Sequence, residues 1–324
     1  MRVYVGLAIA AVLGFAGLAQ ASPLDVKQVS ADAKWAAHLD VDALMASKSI
    51  QKVREQILKE NPQAEAGLAM IRTMFRFDPT TDLHGITIYG TQLKKETGVA
   101  IVRAKVDQKF LLDLVKNVPE YETSQYGKYE LHSWIKDGRK HKNATFFQPD
   151  VIVFSDSLDE LKAALDVLDG TKPNIAAKAE ALAAAIPPGT ILVAGARDLA
   201  EADLHVESPL SKQADSLMIV VGEYQGEVFV RGSLTVKDAE VAQKIKTVAD
   251  GALALASLAK IDDPDALKLI GAVKVSSADK AVSVEAQAPV DELWAQIQKE
   301  AAKKKAEMEK HHQGMFGGHH PSGK

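Results

Sequence analysis

Three groups of residues in this chain are of types that could do chemistry. His38, Asp40 and Asp42 alternate, so on a strand they would share one face and offer nitrogen and carboxylate ligands to a metal. No second His-and-carboxylate cluster stands at a matching place in the other half, and Asp40 and Asp42 also suit the end of a strand and the cap of the helix after it. The segment from Lys136 to Lys142 carries four fixed positive charges and one negative. Lys136, Arg139, Lys140, His141 and Lys142 therefore form a candidate anion-binding group, suited to a phosphate-bearing lipid or a polysaccharide. Asp137-Gly138 equally marks the tip of a hairpin, where exposed charge needs no ligand. The third group is His311, His312, His319 and His320, two pairs separated by a glycine-rich segment. Neutral imidazoles suit zinc, nickel or copper, but a flexible tail loses chain entropy in closing on an ion, and no rigid supporting shell is evident. These four are weak metal candidates, and the sequence implies no other cofactor.

Familiar catalytic signatures are missing. G-x-S-x-G, H-E-x-x-H and G-x-G-x-x-G do not occur. Gly318 to Lys324 has the phosphate-loop spacing, but no strand leads into it and no helix follows. There is no cysteine, which removes disulfides, thiolate metal sites and a cysteine nucleophile. Asn143-Ala144-Thr145 fits a glycosylation acceptor, which matters only in a eukaryotic secretory route. A hydrolase could still assemble a site from scattered groups; its mark would be a cleft bringing His38, His84, His132 or His205 within hydrogen-bond reach of carboxylates.

The elements that must position these residues begin with an export signal. Arg2 is followed by an apolar run from Val3 to Leu18 and by Ala19-Gln20-Ala21, a signal peptide with cleavage after Ala21. Glycines thin a run already near the roughly 17-residue lower limit for a membrane span, so the mature chain is expected to have no transmembrane segment. A cysteine-free exported chain of this size points to a bacterial envelope compartment, periplasmic or secreted. With 39 Lys and Arg against 43 Asp and Glu, the net charge of −4 gives no general affinity for nucleic acid.

From Gly85 to Val118 the chain reads as strand, strand, helix, and residues 217–250 repeat that order. Gly90 matches Gly222, Arg103 matches Arg231, and the helix start at Asp159 matches Asp291. In the first copy Ala100, Val102, Ala104 and Val106 are expected on the dry face of the sheet, with Arg103 and Lys105 on the wetter one. In the second, Val228, Val230, Gly232, Leu234 and Val236 are expected inward and Phe229 outward. Helix stripes are expected at Leu68, Ile71 and Phe75, at Phe110 to Val118, at Leu158 to Leu168, and at Val241, Ile245, Val248, Ala252 and Leu255. The fold class that follows is α+β, with two tandem duplicated domains, each an antiparallel sheet with helices packed on one face. The expected divisions are a signal peptide (1–21), a first repeat (22–174), a helical linker (175–188), a second repeat (189–310) and a disordered His- and Gly-rich tail (311–324).

These features imply an exported, non-enzymatic binding or scaffolding protein of the bacterial cell envelope. A periplasmic carrier of an apolar or lipid ligand is the alternative, since a curved sheet with helices on one face can enclose a pocket; the hydrolase is a further one. Envelope proteins, anionic polymers and lipids are the partners such a chain suits.

Overall fold

The computed structural model describes residues 23–93, 98–136, 140–178, 186–201 and 212–316. The chain is α+β, built on one antiparallel sheet of twelve strands. Its first half contains β1 (Trp35–Asp40), helices α1 (Val41–Ala46), α2 (Lys48–Glu60) and α3 (Ala64–Phe75), and the hairpin β2 (Leu83–Gly90) and β3 (Val99–Ala104). Helix α4 (Gln108–Val115), strands β4 (Glu122–Tyr126), β5 (Tyr129–Lys136), β6 (Lys140–Gln148) and β7 (Val151–Ser155), and helix α5 (Leu158–Leu168) complete it. The second half contains β8 (Thr190–Arg197), β9 (Ala214–Tyr224), β10 (Glu227–Val236), α6 (Ala239–Ala259), α7 (Pro264–Gly271), β11 (Lys274–Ala278), β12 (Ala281–Pro289) and α8 (Val290–Phe316).

The strand order is β11-β12-β10-β9-β8-β1-β2-β3-β7-β6-β5-β4. Reading outward from the centre, each half runs first strand, second strand, third strand, and then the strand that precedes its last helix. The seam is the antiparallel pair β1–β8, in register from Trp35 opposite Ala196 to Leu39 opposite Leu192. Arg197 ties it down by donating to the carbonyls of Ala33 (2.7 Å) and Ala31 (2.8 Å), and Lys34 pairs with Asp198. Glu223 adds a cross-half clamp on the start of α2, accepting from the backbone N–H of Lys48 (2.7 Å) and Ser49 (2.9 Å) and from the Ser49 hydroxyl (2.6 Å). A carboxylate at a helix N-terminus is favoured by the unpaired amides and the helix dipole together.

Local sequence explains most element ends. Ser47, Asp107, Ser157, Asp238 and Asp263 cap α2, α4, α5, α6 and α7 by accepting a backbone N–H three residues on. At α5 the capping box is relayed: Ser157 accepts from the Glu160 amide, while Glu160 accepts from the Ser155 hydroxyl (3.2 Å), which in turn accepts from the Ser157 amide. Pro264 opens α7 at a position that needs no amide donor. Strand β4, Glu-Thr-Ser-Gln-Tyr, carries almost no apolar signal and is held as an edge by pairing with β5.

The main core lies beneath α5, where Leu161 and Leu165 pack on Tyr89, Val99, Ile101, Leu131 and Val153. The expected faces of β3 hold only in part: Ala104 is buried and Arg103 and Lys105 are exposed as expected, but the first residues of the strand differ. Val99 and Ile101, on the Arg103 side, are buried, whereas Ala100 and Val102 are only half-buried. The cause is that Val99 to Val102 is apolar on both faces, so α5 decides which becomes the interior. In the second half Leu234 and Val236 lie inward as expected, under Val241 and Ile245 of α6. At the other end of β10 the expectation fails: Phe229 is buried with Val193 and Val220, and Val230 is exposed. Three helix stripes are corrected as well. Phe75 and Leu114 are exposed, and so are Val248 and Leu255, because α6 outruns the sheet beneath it.

Candidate functional site: an uncovered apolar sheet face

Residues directly opposite each other in neighbouring strands share a face, and alternate residues along a strand change face. Following the register from β3 to β12 gives a row Ala100, Ile88, Ala37, Ala194, Ile219, Gly232 and Val284. A second row on the same face runs Val102, Ile86, Leu39, Leu192, Val221, Val230 and Ala286. Neither contains a charged or hydrogen-bonding side chain. Helix α5 and its core lie on the opposite face, and α6 covers this one only near β10, β11 and β12. At the centre the face is open: Ile88 is 38% exposed, Leu217 38%, Ile219 37% and Val230 40%.

The seam gives this face a shape. Ala37 of β1 and Ala194 and Ala196 of β8 stand between the larger Ile88 on one side and Leu217 and Ile219 on the other. The three alanines leave a shallow dip at the seam, closed along the strands by Leu39 and Leu192. From β2 to β10 the open part of the face crosses four interstrand gaps, about 19 Å at the usual strand spacing. Such a surface suits an apolar, elongated partner and offers no group that could make or break a covalent bond.

The cavity between sheet and α5 is a different matter. It has a volume of about 150 Å³ and is lined in part by Tyr89, Val99, Glu160, Ala164, Val167 and Lys172, against roughly 300–1,000 Å³ for ordinary small-molecule pockets. Burial and the charge of Glu160 push the Tyr89 hydroxyl well above the usual tyrosine range, so it stays a phenol.

The candidate chemical residues are placed as follows. His38 is buried with its Nδ1 2.9 Å from the Thr87 hydroxyl, and Asp40 accepts from the Ala43 amide at 2.8 Å as the cap of α1. Asp42 pairs instead with His84, Nδ1 to carboxylate 3.1 Å. His132 is buried, stacked on Tyr121 with its Nδ1 2.8 Å from the phenol oxygen. Burial is the main cause of the lowered pKa of His132; Lys116 adds to it and Glu130 opposes it. Among the described residues no group of three or more His, Asp or Glu side chains could hold a metal ion; His205 lies outside them.

In the basic turn, Lys136 and Lys140 pair as backbone positions of β5 and β6, His141 is exposed, and Lys142 is bound to Asp156. Arg139 lies outside the described residues. Helix α8 runs through His311 and His312, whose side chains are not described, while His319, His320 and the expected signal peptide lie outside. Among the described residues no helix is long and apolar enough to cross a membrane.

No protein-family model matches the chain, and no curated protein matches it significantly. Among solved structures, crystal form III of TP0453 aligns with a TM-score of 0.47 at 8% identity, over 86% of this chain and 99% of that one. Crystal form I of TP0453 aligns with a TM-score of 0.45 at 9% identity, over 86% and 98%. Both scores lie below 0.5, so function is argued from this chain's own surface.

Proposed function

We propose that this is an exported, non-catalytic binding protein of the bacterial envelope, and that its binding surface is the open sheet face at the seam, taking an apolar ligand of the lipid acyl-chain class. The observation that carries the reading is the pair of uninterrupted apolar rows left exposed at their centre. A row of this length in contact with water is unfavourable at roughly 25 cal/mol for each Å² of apolar surface, and contiguous exposed apolar patches mark binding surfaces. Of the histidines that could serve a hydrolase, His84 is within reach of a carboxylate, Asp42, whereas His38 and His132 are held by the hydroxyls of Thr87 and Tyr121, so no two of them are gathered on one partner. The export part rests on the signal sequence and the absence of cysteine.

The test is binding of a fluorescent fatty acid to the purified mature chain, with mass spectrometry of lipids extracted from it. Ile219→Asp and Val230→Asp place a charge on the open face at positions already exposed, and are expected to weaken binding roughly tenfold or more with little change in the urea midpoint. Absence of binding by the unaltered protein, or full binding by both variants, overturns the reading.

A further inference from the structure

The cavity between the sheet and α5 lies on the side of the sheet opposite the open face, and its lining holds polar groups that the fold does not use. Tyr89 sits in the core beneath α5 and is only 3% exposed. It lines the cavity, yet its hydroxyl has no hydrogen-bond partner among the described residues. A buried tyrosine hydroxyl usually finds one. Glu160 lines the same space, and its charge acts on that hydroxyl. Its Oε2 accepts from the Ser155 hydroxyl at 3.2 Å, and Oε1 has no partner among the described residues. Two groups able to accept a hydrogen bond, one of them charged, thus share a cavity with the apolar side chains of Val99, Ala164 and Val167.

The charge balance selects the sign of an occupant. Besides Glu160, the charged residues of the described lining are Asp32 and Lys172, both exposed. Lys172 is paired with Asp166 at 3.1 Å. Asp32 makes no ion pair among the described residues, and Arg197 near it donates to the carbonyls of Ala31 and Ala33. Counting Arg197 against Asp32 still leaves Glu160 unmatched, so the lining favours a cation. A water molecule would satisfy the phenol but not the carboxylate charge. Volume limits the size: about 150 Å³ is the room that holds benzene in a dry protein cavity, or about six non-hydrogen atoms. An ammonium group brings N–H donors and no acceptor, which suits a carboxylate and a phenol oxygen.

We propose that this cavity binds a small organic monocation, a primary ammonium on a short apolar chain, with the ammonium on Glu160 and the Tyr89 oxygen and the chain against Val99, Ala164 and Val167. The site is separate from the open sheet face and stands or falls independently of it.

The experiment is calorimetric titration of the mature protein with n-pentylammonium chloride at constant ionic strength. Saturable binding is expected, with a dissociation constant of about 1 mM or tighter. The uncharged 1-pentanol, which keeps the chain, is expected to bind roughly tenfold more weakly or not at all. Glu160→Gln, which keeps an acceptor for Ser155, is expected to weaken binding of the amine roughly tenfold or more. Tyr89→Phe is expected to weaken it roughly threefold to tenfold and to leave the urea midpoint unchanged or higher, because the hydroxyl it removes makes no bond in the fold. Ile219→Asp, on the open sheet face, is expected to bind the amine like the unaltered protein. Absence of saturable binding by the unaltered protein, equal binding of 1-pentanol, or full binding by Glu160→Gln overturns the proposal. So does tighter binding of alanine than of the amine, which would show Lys172 leaving Asp166 to hold a zwitterion.

Discussion

The two halves share a strand order but cover the sheet differently: the first buries the α5 face alone in its core, whereas the second buries that face at Val193, Val220 and Phe229 and the other face under α6. In the first, Ile101 pairs with Val153 and Arg103 with Val151, a mostly apolar floor on which α5 lies with Leu161 and Leu165 fully buried. At the matching positions of the second, Phe229 pairs with Gln287 and Arg231 with Glu285. A helix cannot exclude water from such a floor without desolvating charge, so α8, which leaves the sheet where α5 does, runs on into solvent. The other face shows the reverse. Helix α6, with 21 residues, reaches back over Leu234 and Val282, whereas α4, with eight, buries none of its side chains. One topology thus accepts either covering, and the side-chain pattern of the floor chooses. The consequence is a sheet face apolar from β3 to β12 yet covered by α6 only at the β10–β12 end.

The largest effect that would break this contrast is in the paired last helices. Leu161→Ala is expected to cost ~2–5 kcal/mol in urea unfolding, the range for truncating a fully buried leucine. Leu293→Ala, at the matching place in α8, is expected to cost less than about 1 kcal/mol, because that residue is only partly buried. Equal costs would mean that α8 is packed as firmly as α5. A smaller difference is expected at the matched glycines. A Cβ on Gly90 would meet the Trp35 indole first, at 2.6 Å, whereas one on Gly222 would meet both the Phe229 ring and the Gly189 carbonyl more closely still. Both alanine variants fall in the ~1–3 kcal/mol range of overpacking, with Gly222→Ala the worse because backbone cannot swing aside. The check is the ratio of their urea midpoints.

Much of the architecture was legible in the sequence, and the physical reasons are local. The caps at Ser47, Asp107, Ser157 and Asp238 depend on a side chain and an amide three residues away, so they can be read without the fold. The seam between halves could not be read, because pairing of β1 with β8 joins residues some 150 positions apart through backbone groups that every strand possesses. The choice of buried face failed for a related reason: Val99 to Val102 and Val228 to Val230 are apolar on both sides, so periodicity there carries no sign. The open face is therefore the part least visible in advance, and the polar edge strand β4 gave no apolar signal either.

The smallest expected effects concern acid, and they again separate the halves. His132 in the first half is buried, and its pKa lies below the ordinary histidine value chiefly because burial disfavours the charged ring. Its unfolded form takes up a proton first, so stability is complete above about pH 6.5 and declines as pH falls below that value toward the lowered folded one. The groups around it are Tyr121, Glu130 and Lys116. In the second half the corresponding acid-sensitive group is Asp263, held at about 2 by its bonds to Lys299, the Ala266 amide and Gln296. Here the sign runs through a carboxylate: the contribution is complete above the unfolded aspartate value and is lost only as pH falls through about 2. Proton titration by NMR is expected to show the His132 ring resisting protonation while Asp263 remains ionised into strong acid. Mild acid should loosen strands β4 to β6 before the α6–α7–α8 corner, and amide exchange that opened both at the same pH would show that the halves respond to acid as one unit.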